Sequence, residues 1–114
     1  MRLNYDLIRL LLLFIEKEAD GNKGFLPDDF TAAFSKESPQ VIKYHLKYLT
    51  DAGLIESVRG YIFDITPRGR EYLDNIRDAS IWENTKKRFQ PLGSVALDVI
   101  SSIAKSLISS KLGL

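Results

Sequence analysis

Apolar side chains occupy Leu7, Ile8 and every position from 10 to 15, a run that covers nearly the whole circumference of a helix rather than one stripe. The pattern predicts a helix from Asn4 to about Ala19 that is buried on more than one side. Asn4 can cap it, because its side-chain oxygen accepts from the free amides of the opening turn, and Asp6 suits the positive end of the helix dipole. Asp20-Gly21-Asn22-Lys23-Gly24 interrupts the run with loop chemistry. Pro27 then suits the first position of a second helix, with Asp28 and Asp29 in its first turn and Phe30 and Phe34 facing the core. A third helix starts at the Ser38 cap and Pro39 and ends near Asp51, before Gly53. Ile42, Leu46 and Leu49 recur at helical spacing and define its inward face, so Gln40, Lys43, Tyr44 and Lys47 project from the other side.

The period changes after Gly53. Residues 54–58 and 61–66 are rich in β-branched and aromatic side chains and flank Arg59-Gly60, where glycine tolerates the positive φ of a tight turn; they read as a hairpin. Strict alternation puts Tyr61, Phe63 and Ile65 on one face and Ile62, Asp64 and Thr66 on the other. Thr66-Pro67 caps a fourth helix with Tyr72, Leu73 and Ile76 on its apolar side. Ser80 and Glu83 have capping-box spacing for a short fifth helix containing Trp82, broken by Pro91 and Gly93. From Ser94 to about Leu112 a last helix carries an apolar stripe of Ala96, Leu97, Ile100, Ile103, Ala104, Leu107 and Ile108, opposite Asp98, Ser101, Ser102, Lys105 and Ser109. The fold class is mainly α with a small β-hairpin (α+β).

Composition narrows the chemistry. At 114 residues and 45% hydrophobic content the chain can bury one core, with apolar surface left for a subunit interface. Cysteine is absent and His45 is the only imidazole, so no cysteine-based or multi-histidine metal site can be assembled, and no cofactor is expected. The paired Asp28 and Asp29 read as negative charge at a helix start, since nothing nearby completes a site. No glycine-rich phosphate loop or serine nucleophile set is evident, and we expect a binding protein rather than an enzyme. The apolar run near the N-terminus is too short to span a bilayer, and a cytoplasmic protein is the default. A net charge of +1 gives no whole-molecule field towards nucleic acid, although residues 36–70 carry six basic against four acidic side chains.

Two stretches carry a resemblance. Tyr44-His45-Leu46-Lys47-Tyr48-Leu49-Thr50-Asp51-Ala52-Gly53-Leu54-Ile55 resembles the recognition helix of winged helix-turn-helix regulators running into the first wing strand. Ile65-Thr66-Pro67-Arg68-Gly69-Arg70-Glu71-Tyr72-Leu73 looks like the end of the wing entering the next helix. The resemblance covers residues 4–78 and implies a winged-helix domain over 1–78, with a C-terminal helical extension over 79–114. Over its full length, including Leu3-Asn4-Tyr5-Asp6-Leu7-Ile8-Arg9 and the tail Ser106-Leu107-Ile108-Ser109-Ser110-Lys111-Leu112-Gly113-Leu114, the chain also resembles a phage and bacterial family of uncharacterised proteins, a domain of unknown function.

The superfamily implies a small transcriptional regulator that sets its third helix in the major groove of double-stranded DNA. Ser38, Gln40, Lys43, Tyr44, Lys47 and Arg59 are the DNA-contact candidates: Gln40 to pair with adenine, the lysines with phosphate or guanine, Tyr44 with phosphate, and Arg59 from the wing tip. The same side chains also suit a plain solvated surface, and His45 suits a packed, hydrogen-bonded core position. The competing function is a protein-binding module gripping its partner through Tyr44, Tyr48, Tyr61 and Trp82. We expect a homodimer through the first helix and the last, using Leu97, Ile100, Ile103, Ala104, Leu107 and Ile108. An intrachain helix closing a monomeric core is the alternative. Membrane attachment does not fit the serine-rich polar face of that helix.

Overall fold

The computed structural model describes residues 1–113; Leu114, the end of the tail that carries the full-length resemblance, lies outside the described residues. The fold is mainly helical with one small antiparallel sheet, a winged-helix-like layout. In chain order it has α1 (Tyr5–Glu18), a 3-10 turn (Pro27–Phe30), α2 (Pro39–Asp51), β1 (Ile55–Val58), β2 (Tyr61–Ile65), α3 (Pro67–Ile76), α4 (Ala79–Phe89), a second 3-10 turn (Gln90–Leu92) and α5 (Leu97–Lys111). The chain forms two compact units, Met1–Arg70 and the remainder from Glu71, and the division falls inside α3.

In the first unit, α1 starts as its sequence dictates: Asn4 Oδ1 accepts from the Leu7 amide at 3.0 Å. Leu7, Ile8, Leu11, Leu12 and Ile15 are buried, a stripe at helical spacing. Leu10 is 47% exposed, so the helix is not wrapped on all sides as its composition implies. α1 packs against β2 and α2, and α2 against β1 and the first 3-10 turn. Where a second α-helix is expected, the structure has only that 3-10 turn followed by further turns to residue 36. Local bonds explain the difference. Asp29 Oδ2 accepts from the Leu26 amide at 2.8 Å, and the Glu37 amide closes back on the Phe34 carbonyl at 3.0 Å, which tightens the chain into successive turns. Phe30 is nevertheless fully buried, with its ring 5.3 Å from Phe14 and 6.5 Å from Phe34.

The hairpin turns on Arg59 (φ 52°) and Gly60 (φ 83°), both in the left-handed region that a two-residue primed turn requires. Strict alternation fails in β2. Ser57 pairs with Ile62 and Glu56 with Asp64, so Phe63 is an extra residue, a β-bulge. The bulge resets the face, and Ile62 and Ile65 are both buried instead of lying on opposite sides. A short bridge completes this edge: the Phe25 amide donates to the Ile62 carbonyl at 2.7 Å and the Ile62 amide to the Phe25 carbonyl at 2.8 Å.

In the second unit, α4 packs on α5. The cap of α4 is Asp78, whose Oδ1 accepts from the Ile81 amide at 2.9 Å; Ser80, the expected cap, lies within the first turn. A carboxylate two residues after the end of α3 reaches the free amides first. Trp82 is buried, its ring 6.0 Å from Phe89 and its face 5.7 Å from the Lys86 ammonium. It belongs to the core, which removes it from any exposed aromatic surface. α5 begins at Leu97, three residues later than Ser94 suggests, behind an Ala96 that offers no side-chain cap. Leu97, Ile100 and Ala104 are buried within the chain, while Ile103, Leu107 and Ile108 are half-buried. Asn75 of α3 donates to Ser101 Oγ of α5 at 2.7 Å.

Candidate nucleic-acid interface

The outward face of α2 is set by what holds the helix from behind. Ser38 Oγ accepts from the Val41 amide at 3.3 Å to start it, and Ile42, Leu46 and Leu49 pin its inner face to the core. His45 is fully buried between two backbone groups: the Asn4 amide donates to Nε2 at 2.8 Å, and the Val41 carbonyl lies 2.8 Å from Nδ1. An amide can only donate, so Nε2 accepts and Nδ1 carries the hydrogen that is donated to Val41. The imidazole is therefore a structural tie between the start of α1 and α2, with both nitrogens in use.

At its other end α2 is tied to the wing. The Leu54 amide donates to the Leu49 carbonyl at 2.9 Å, and the Thr66 amide to the Leu54 carbonyl at 3.0 Å. Thr66 Oγ1 donates to the Gly53 carbonyl and accepts from the Gly69 amide at 3.0 Å, so one threonine joins the end of α2, the end of β2 and the start of α3. Gly69 is obligatory here. A Cβ at that position would run into the Leu54 carbonyl oxygen.

Between α2 and the hairpin lies an open groove of about 270 Å³, lined by Lys43, Lys47, Thr50 and Asp51 from α2 and by Ser57, Gly60 and Ile62 from the hairpin. Lys43 and Lys47 thus share one groove with the turn residue next to Arg59. Gln40 and Tyr44 stand on the exposed side of α2 outside that lining; Tyr44 is 39% exposed, with its ring edge-on to His45 at 5.5 Å. Ser38 caps the helix with its hydroxyl oxygen.

Asp51 is the residue that sequence reasoning passed over. Lys47 Nζ donates to Asp51 Oδ2 at 2.7 Å, one turn apart on the helix, with 77% and 62% of the two side chains exposed. The hydrogen bond, and then the opposite charge, hold the Lys47 pKa above its ordinary value. The i, i+4 spacing of a lysine and an aspartate was the available signal. Among the described residues no group of three or more histidine, aspartate or glutamate side chains could hold a metal ion, and no helix is long and apolar enough to cross a membrane.

The geometry defines a class: a small α+β protein with a winged-helix-like layout, whose α2 and hairpin flank one partly basic groove. The chain belongs to the family described as "Hypothetical protein (DUF2513)", whose model matches residues 2–96. A relative from Haemophilus influenzae, described as "Uncharacterized protein", is 34% identical over 121 residues, covering 98% of this chain and 99% of the relative. No solved structure matches the chain.

Proposed function

We propose that the protein belongs to the winged helix-turn-helix superfamily and binds double-stranded DNA as a small transcriptional regulator, with α2 entering the major groove and the Arg59 turn reaching the flanking backbone. The observation that carries this reading is the shared groove: Lys43 and Lys47 of α2 and Gly60 of the wing turn line one surface. Gln40, one turn before Lys43 and Tyr44, has the amide geometry that pairs with adenine. Arg59 adds a second argument. Its left-handed backbone is held at a cost that asparagine or glycine would not incur, so a cation at the wing tip has a use besides the turn.

Fluorescence anisotropy with labelled genomic duplexes across a salt series tests the proposal. Combined Lys43→Ala, Lys47→Ala and Arg59→Ala substitutions should weaken binding and flatten the slope of log affinity against log salt by about 2, the value for the phosphate contacts of Lys43 and Arg59, Lys47 being paired with Asp51 in the parent protein. Salt-independent or absent binding by the parent protein removes the reading. Asp51 and the exposed Tyr44, Val58 and Tyr61 favour a second reading, a protein-interaction module using the same face. Under it, alanine at Tyr44 or Tyr61 abolishes a co-purifying partner while the lysine substitutions leave it bound. Homodimerisation, if it uses α5, falls to the half-buried Ile103, Leu107 and Ile108, and light scattering on the full chain reads it directly.

A further inference from the structure

We propose that Asp51 is a specificity-determining residue of the α2 surface, one that weakens DNA contacts made to phosphate alone and relents where a cytosine amino group faces it. The inference rests on the reading of α2 and the hairpin as a DNA-binding surface. Asp51 Oδ2 holds the Lys47 ammonium along the helix at 2.7 Å and places a carboxylate in the groove beside the wing.

Folding does not account for this carboxylate. Asp51 is the last residue of α2, where negative charge opposes the helix dipole, and a lysine preceding an acid by four is the less favourable order of such a pair. Both side chains are largely exposed, the setting in which an ion pair contributes least to stability. A fold-driven sequence would place a neutral or basic residue there.

On DNA the carboxylate has two different effects. For Lys47 to reach a phosphate the pair must open, and the phosphate must then approach a like charge. Binding that depends on backbone charge is weakened. At a major-groove site bearing cytosine, the N4 amino group donates to a carboxylate, while a neighbouring guanine offers O6 and N7 to the lysine. There both members of the pair exchange each other for base edges and the repulsion is compensated. Asp51 therefore widens the gap between the correct site and bulk duplex, favouring a G·C-containing step under the C-terminal half of α2.

The test compares the parent protein, Asp51→Asn, Lys47→Ala and the double variant on two short labelled duplexes, one of alternating A·T pairs and one of alternating G·C pairs. At low salt, about 50 mM, Asp51→Asn is expected to bind the A·T duplex about three- to tenfold more tightly. Its salt slope should steepen by about 0.9, the value for one added phosphate contact. The G·C duplex should gain less, so that the parent protein's preference for G·C shrinks. Placed in the Lys47→Ala background, the substitution should gain much less on A·T. Thermal unfolding of Asp51→Asn should match or exceed that of the parent. Unchanged A·T binding, an equal gain on both duplexes, the same gain without Lys47, or a lowered melting temperature each overturns the inference while the DNA reading stands. No salt-dependent binding by any of the four proteins overturns both.

Discussion

Replacing His45 isolates how much of the fold depends on one polar tie. The ring is fully buried, so His45→Ala leaves a cavity and removes its packing, about 2 kcal/mol for a side chain of this size. It also strips the Asn4 amide of its acceptor. That amide sits at the cap position of α1, outside the helix ladder, and its loss adds about 1 kcal/mol, moderated because water can reach Asn4. The Val41 carbonyl lies at helical spacing from the His45 amide, so losing Nδ1–H adds little, about 0.5 kcal/mol. The sum is about 3 to 4 kcal/mol. His45→Gln distinguishes the tie from mere bulk, because glutamine can carry its amide oxygen to the place of Nε2 and should recover at least about 1 kcal/mol. Urea unfolding followed by helical circular dichroism measures both; with a slope of about 1.5 kcal/mol per molar, His45→Ala should lower the midpoint by about 2 M. A His45→Ala protein within about 0.5 kcal/mol of the parent, or a glutamine variant no better than alanine, refutes the assigned role.

Gly69→Ala forces a methyl group against the Leu54 carbonyl, which itself accepts from Thr66, and should destabilise by about 2 to 4 kcal/mol, read as a lowered melting temperature. Arg59→Gly relieves a non-glycine residue at φ 52° and should raise stability by about 0.5 to 1 kcal/mol in the same assay while weakening DNA binding, which separates turn strain from wing charge. Asp20 accepts from the Lys23 and Asn22 amides at 2.9 and 2.8 Å, and those bonds hold its pKa below the ordinary 3.8. A depressed carboxylate stabilises the fold above its unfolded pKa and loses that contribution as pH falls through the folded one, so the penalty of Asp20→Ala should be full at neutral pH and shrink as pH falls below 3.8 towards the depressed folded value. Urea midpoints across pH measure it.

Much of the fold was legible because local chemistry and packing agree at its junctions. The Asn4 cap, the Ser38-Pro39 start of α2, the Arg59-Gly60 turn and the Thr66 cap each follow from one side chain acting on neighbouring backbone. What was not legible depends on contacts between distant residues. Nothing within residues 61–66 announces that Phe63 bulges; the register is fixed by the partners of β1 and by the Phe25 bridge on the other edge of β2. Leu26, held extended before Pro27 next to an aromatic residue, was the one local hint of that bridge. Asp78 outcompeted Ser80 for the cap of α4 because α3 stops at Ile76, a boundary that propensity sets only loosely. In the candidate site, the outward residues of α2 could be read from periodicity. Their grouping with the turn could not, since it requires the hairpin to fold back beside the helix.

That fold-back also bears on how the site would act. α2 is tied to α1 through His45 and to the wing through Leu54 and Thr66, all by hydrogen bonds to backbone groups. Backbone ties at both ends fix the position of a helix without prescribing the side chains on its exposed face. Gln40, Lys43, Lys47 and Asp51 can therefore differ among relatives at little expense to folding, provided that the imidazole, the threonine and Gly69 stay in place. A scaffold with this division of labour supports recognition, where a rigid surface loses less conformational entropy on binding and the variable residues choose the target. It also locates the effects of substitution: changes at the ties should appear in unfolding, and changes on the exposed face should appear in binding alone.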